Sequence, residues 1–160
     1  MSATAPENTN ATAVEVFTRL LRAHATTARC IGAQLLAEHG LSLNDYEALY
    51  FLARADGRRL KRVELARRLV LTPSGVTRLL EGLEETGLVE RAECSSDLRI
   101  TYAQLTDAGL HTLRAASCDH EGSIKALLDE HLSPDEVQLL AELLGRLPGV
   151  LDDDGASCGT

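Results

Sequence analysis

LKRVELARRLVLTPSGVTRLLEGLEETGLVERAECSSDLRITYAQL, residues 60–105, decides how this chain reads. Val63, Leu65, Ala66 and Leu69 recur at helical spacing and predict one short helix, preceded by an extended piece over residues 58–60. Thr72 is a good N-cap and Pro73 suits a first helical position, so a second helix starts there. Val76, Leu79, Leu80 and Leu83 give it one apolar stripe, and Gly87 stops it. Leu88, Val89 and Glu90 then open a strand, residues 94–97 form a turn, and Ile100, Tyr102, Gln104 and Leu105 belong to a returning strand. A helix pair joined to a two-stranded wing can put one helix into a DNA major groove and one arginine into the adjacent minor groove.

Burying that stripe leaves Ser74, Gly75, Thr77 and Arg78 together at the exposed start of the second helix, beside the Thr72 cap. Short hydroxyls, a glycine and one arginine allow close approach to base edges, and a helix N-terminus favours a phosphate. In the turn, Asp97 stands two residues before Arg99 and can hold that guanidinium extended towards a narrow minor groove. Arg62 in the preceding segment completes the expected DNA-contacting set of Arg62, Thr72, Ser74, Gly75, Thr77, Arg78, Asp97 and Arg99.

Around this segment the 160 residues carry a net charge of −8, and its distribution bears on a DNA partner. Residues 54–99 hold ten basic and eight acidic side chains, leaving +2, against six basic and sixteen acidic in the remainder, or −10. The positive charge thus collects in the segment proposed to meet DNA. With 44% hydrophobic residues but only 3% aromatic, the interior must be Leu, Val, Ile and Ala packed helix on helix. No apolar run approaches a membrane span and residues 1–12 lack the order of a signal peptide, so a cytoplasmic protein with no membrane partner is expected. Cys30, Cys94, Cys118 and Cys158 are widely spaced and read as thiols, with Cys30 taken as buried and inert. A Gly-rich phosphate loop, a nucleophile elbow, a His-Glu-x-x-His pattern and paired carboxylates are all missing, so the chain reads as a non-enzyme without a cofactor.

Outside the central lobe the pattern is helical. Phe17, Leu20, Leu21, His24, Ala28, Ile31 and Leu35 predict a long helix over residues 13–38, closed by Gly40. A helix with Tyr46, Leu49, Tyr50 and Leu52 follows, capped by Ser42 or Asn44. Leu110, Leu113, Ser117, His120, Ile124, Leu127 and His131 alternate at three and four like a heptad seam, and a last helix after Ser133 carries Val137, Leu140, Leu144 and Leu147. This is more apolar helix surface than a small lobe can cover, so a second copy is the expected cover, with no stable folded monomer. Two-fold symmetry then predicts an inverted-repeat operator with half-site centres about 10 base pairs apart. The expected fold class is mainly α with a small β-wing. Residues 41–105 form a winged helix-turn-helix DNA-binding lobe and 13–40 with 106–147 a helical dimerisation region. Residues 1–12 and 148–160 are read as a disordered N-terminus and a flexible tail.

The chain resembles the MarR-type winged-helix transcriptional regulators. The resemblance is carried by Leu41-Ser42, residues 63–69 (VELARRL), 73–80 (PSGVTRLL) and 83–91 (LEETGLVER), Asp97-x-Arg99, 105–109 (LTDAG) and 132–136 (LSPDE), all in family order. It implies a homodimeric repressor with its recognition helix at residues 73–86 and Arg99 as the minor-groove arginine. A small phenolic or anionic effector is common in the family, and some members respond to thiol oxidation or zinc. Leu98 stands where the family often has a second arginine, and Glu93 further lowers the charge of the wing. By analogy an effector would sit near His24, Arg29, Tyr46 and Tyr50. A thiol response would use Cys30, and a zinc response would draw on His111, Cys118, His120, Glu121 and His131 with His24 or His39; no metal site is assigned from this set, since Cys118 and His120 face different ways on a helix. The remaining alternative is a dimeric interaction protein of the same fold that does not bind DNA.

Overall fold

A computed structural model describes residues 11–93 and 101–147. The wing turn with Cys94, Asp97, Leu98 and Arg99, residue Ile100, Cys158, segments 1–10 and 148–160 and the side chain of Glu93 lie outside the described residues. In order along the chain come α1 (Ala13–His39), α2 (Leu43–Arg54), a turn of 3-10 helix (Asp56–Arg58), β1 (Arg59–Lys61), α3 (Arg62–Arg68) and α4 (Pro73–Glu85). β2 (Val89–Glu93), β3 (Thr101–Leu105), α5 (Asp107–His131) and α6 (Pro134–Leu144) follow.

Local chemistry sets the helix starts. Thr12, Ser42 and Ser133 each close a reciprocal capping box with the acidic residue three positions on, Glu15, Asp45 and Glu136. Thr72 and Thr106 accept the backbone N–H of Gly75 and Gly109. Removing such a cap typically costs about 1 kcal/mol. At the other end of α1, Gly40 takes φ 68°, and its N–H closes the helix on the Leu36 carbonyl.

The wing has one strand more than expected. β3 lies centrally, antiparallel to both β1 and β2, so the short piece before α3 is a sheet member. Leu60 opposite Ala103, and Val89 opposite Leu105, turn their side chains into the core. That core is one cluster running from Leu35 and Leu41 through Leu49, Leu52, Leu65, Leu80 and Val89 to Leu113 and Ala116. It therefore extends beyond residues 41–105 into both long helices.

Two expectations about buried faces are corrected. Val63 is 63% exposed, and α3 buries Leu65, Ala66 and the following Leu69 instead. On α5 the residues Gly109, Leu113, Ala116 and His120 are buried in the chain's own interior, where Tyr46 of α2 meets Ser117 and His120. The first half of the heptad-like seam is thus occupied within one chain. Periodicity locates an apolar face but does not say which surface covers it. Further along, Ile124 is exposed, and α6 buries nothing: Leu139, Leu140 and Leu143 face outwards, as does Leu147 beyond its end. Of the 27 residues of α1 only Ile31 and Leu35 are buried, leaving Val14, Val16, Phe17, Leu20 and Leu21 open. Cys30 and Cys118 are free and exposed, so the buried setting expected for Cys30 does not hold within one chain. Among the described residues no helix is long and apolar enough to cross a membrane.

The turn between α3 and α4 stores strain. Val70 ends α3 at φ 53°, with its N–H to the Arg67 carbonyl and the Leu71 N–H to the Ala66 carbonyl, while its side chain is 91% exposed. A β-branched residue in this left-handed region costs about 1–2 kcal/mol, and glycine would give back roughly 0.5–1 in unfolded-state entropy. Val70→Gly is accordingly expected to stabilise the fold by roughly 0.5–1 kcal/mol in urea unfolding. A destabilised Val70→Gly would show that the valine side chain makes a compensating contact.

Candidate nucleic-acid interface

The start of α4 gathers Thr72, Ser74, Gly75, Thr77 and Arg78 into one edge, as its sequence pattern requires once Val76, Leu80 and Leu83 are buried. Thr72 Oγ1 accepts the Gly75 N–H at 3.1 Å and lies 3.2 Å from Ser74 Oγ, while Thr77 donates to the Pro73 carbonyl at 2.9 Å. Three of these groups are therefore held by the helix itself, which fixes their direction before any partner arrives. Arg78 is exposed and has no ion-pair partner among the described residues.

The far end of α4 is clamped to its neighbours. Arg91 of β2 donates Nε–H to both carboxylate oxygens of Glu84, at 2.8 and 3.1 Å, and Arg62 Nη2 of α3 lies 3.6 Å from the same carboxylate. Glu84 thus fixes the angle of α4 against the helix before it and the sheet after it. Thr106 secures the strand that follows: its hydroxyl donates to the Gly87 and Leu88 carbonyls at 2.8 and 3.1 Å, and its N–H to Leu88 at 3.1 Å. A Cβ on Gly109 would stand 2.1 Å from the Leu88 carbonyl oxygen and 2.7 Å from Leu105 Cδ1.

Comparison with known proteins bears directly on this arrangement. A MarR family model matches residues 39–100, from the end of α1 into the wing. HTH-type transcriptional regulator YdgJ of Bacillus subtilis is 31% identical over 119 residues, covering 74% of this chain and 71% of YdgJ. The chain belongs to the MarR family. HTH-type transcriptional repressor YetL of the same organism is 33% identical over 111 residues, 69% of this chain and 66% of YetL. Among solved structures, Sco3205, a MarR family transcriptional regulator from Streptomyces coelicolor determined in complex with DNA, superposes with a TM-score of 0.77 at 29% identity, covering 88% of this chain and 89% of Sco3205. As a MarR-family protein the chain is a DNA-binding transcriptional regulator with a winged-helix fold.

Within this MarR-family frame, not every expected residue meets at one place. Arg62 lies at the opposite end of α4 from Ser74; its side chain is 27% exposed, and Nη2 is buried without a hydrogen-bond partner among the described residues. Asp97 and Arg99 lie outside the described residues. Glu84 and Arg91 were missed as a pair, because their seven-residue separation crosses from a helix to a strand and carries no local signature.

The expected effector residues divide. Tyr46 is buried with its hydroxyl 3.2 Å from Ser117 Oγ and its ring 4.3 Å from that of His120. Tyr50 stacks beside it at 6.5 Å on the half-open side, with the Arg54 guanidinium 5.3 Å above its ring. His24 lies within electrostatic reach of Glu47, whose carboxyl is pushed up by burial against the pull of that histidine. Arg29 is exposed on α1. The five residues of the zinc-response set do not form a cluster; the described residues that do converge are Glu38, His39 and Asp119.

Proposed function

We propose that this MarR-family regulator is a cytoplasmic homodimeric repressor that binds an inverted-repeat operator and is released by a small ligand. The exposed Ser74-to-Arg78 edge, pre-set by the Thr72 cap and free of ion pairing at Arg78 among the described residues, carries the reading. Two such edges related by a dyad would enter successive major grooves, with Arg99 of each wing reaching the flanking minor groove. The open apolar residues of α1 and α6 supply the surface for the second copy, with 13–40 and 106–147 as the dimerisation region and 41–105 as the DNA-binding lobe. Repression follows from occlusion of a promoter, and YetL, a repressor, is the relative that supports this direction. A ligand acting near His24, Arg29, Tyr46 and Tyr50 needs to favour the incompetent spacing of the two α4 helices by only about 1–3 kcal/mol.

Titrating a labelled inverted-repeat fragment at two salt concentrations tests the operator. Affinity is expected to fall steeply with salt, because each contacted phosphate releases counterions. Arg99→Ala should weaken the complex most on operators with A·T-rich flanks and leave thermal stability unchanged. Absence of binding to every genomic fragment would instead favour an interaction protein of the same fold, a reading to which the net charge of −8 is suited.

A further inference from the structure

Arg62 is among the residues expected to touch DNA, yet its guanidinium is engaged inside the lobe. It opens α3, and its Nη2 is buried with no hydrogen-bond partner among the described residues, 3.6 Å from Glu84 Oε1 near the end of α4. That separation makes an ion pair and not a hydrogen bond. The same carboxylate accepts Arg91 Nε–H from β2 at 2.8 and 3.1 Å. One anion on α4 thus serves two cations, from the helix before it and the strand after it. The side chains of Glu84 and Arg62 are 21% and 27% exposed, so solvent and salt screen this pair less than a surface pair.

The lever arm gives this cluster a reach beyond its own place. Glu84 follows Ser74 on α4 by ten residues, about 15 Å along the helix axis. A tilt of about 10° about the Glu84 end moves Ser74 by about 2.6 Å, well beyond the roughly 0.5 Å within which a preorganised contact has to be held. Burial of Val76, Leu80 and Leu83 decides which face of α4 meets the core, while the charges at Glu84 set the angle of its far end. Without that carboxylate, two guanidiniums face each other uncompensated, one of them with a buried nitrogen.

We propose that Arg62, Glu84 and Arg91 form a charge clamp that positions α4 for sequence reading, with Arg62 a positioning residue and not a phosphate contact. The clamp rests on the reading of the α4 edge as the part that recognises an operator. It assigns specificity to side chains at the opposite end of the helix from Ser74.

Full-length Glu84→Gln, Arg62→Met and the double variant test it, each titrated below its melting temperature with an operator selected from genomic fragments and with random duplex, over a series of salt concentrations. Glu84→Gln is expected to lose about tenfold in preference for operator over random duplex, within the range for charges that share a network. Its affinity for random duplex should hold or rise, because a negative charge has gone. Arg62→Met should also lose preference, with an unchanged salt slope on random duplex. The double variant should lose no more than Glu84→Gln, since it leaves no uncompensated guanidinium at position 62. A phosphate contact at Arg62 gives the opposite pattern: the salt slope of Arg62→Met falls by about 1, both DNAs weaken alike, and Glu84→Gln tightens both by freeing the arginine. That pattern overturns the proposal. So does a Glu84→Gln variant that melts lower yet keeps the parent's preference, which would make the clamp a matter of stability alone. A parent chain that prefers no genomic fragment overturns the operator reading itself and the clamp with it, so the two failures are distinct.

Discussion

Gly109→Ala is expected to destabilise the fold by about 3 kcal/mol, near the upper end of ordinary overpacking costs. For a chain of this length that corresponds to a melting temperature lower by roughly 6–12 °C at fixed protein concentration. The cause is a backbone obstruction: the added methyl would lie 2.1 Å from the Leu88 carbonyl oxygen. That oxygen already accepts the N–H and the hydroxyl of Thr106, so it cannot retreat without breaking the cap of α5. Moving α5 away instead would open the interior at Leu113 and Ala116. Gly82→Ala provides the control, because nothing lies within 4 Å of its Cβ position on the outer side of α4. Replacing a glycine inside a helix should there gain roughly 0.5–1 kcal/mol. Equal melting of the Gly109 variant and the parent would contradict the close approach of α5 to the wing.

Arg78→Ala is expected to lower affinity for the operator by about 5- to 150-fold, equivalent to 1–3 kcal/mol, if its guanidinium reads a guanine edge. Its affinity for random DNA should change far less, and its melting temperature should match the parent, since the side chain is exposed and unpaired among the described residues. Competition of labelled operator with unlabelled random duplex separates the two affinities. The same loss on both DNAs would reduce Arg78 to a phosphate contact and move sequence reading to other residues of the α4 edge.

These two variants probe features that differ in how openly the sequence shows them. The caps are legible because their chemistry is local: Ser42 with Asp45, Thr72 before Pro73 and Ser133 with Glu136 each act within one turn. The α4 edge is legible for a related reason, since three buried positions in one helix dictate what the remaining face presents. Pairing across the chain is less visible. β1 shows in sequence only as a short extended piece, because its strand character depends on β3, some forty residues later. Gly109 stands out as part of a family motif, yet its reason is a carbonyl from the preceding strand. His39 and Asp119 meet across 80 residues, where a change of one position on α5 selects a different partner. The seam of α5 misled for the opposite reason. Its spacing is regular, but Leu113 and His120 are buried within their own chain, His120 against Tyr46 of α2.

The unbroken interior from Leu35 through the sheet to Ala116 has a mechanical corollary. With apolar packing shared between the helical arm and the lobe, and Glu84 bracing the far end of α4, the described residues of the chain offer no ready elbow. On the proposed reading of a ligand-released homodimer, an effector would therefore tilt two stiff halves against each other, and amino-acid changes that loosen their mutual contact should mimic or blunt the signal without touching either the groove or the effector.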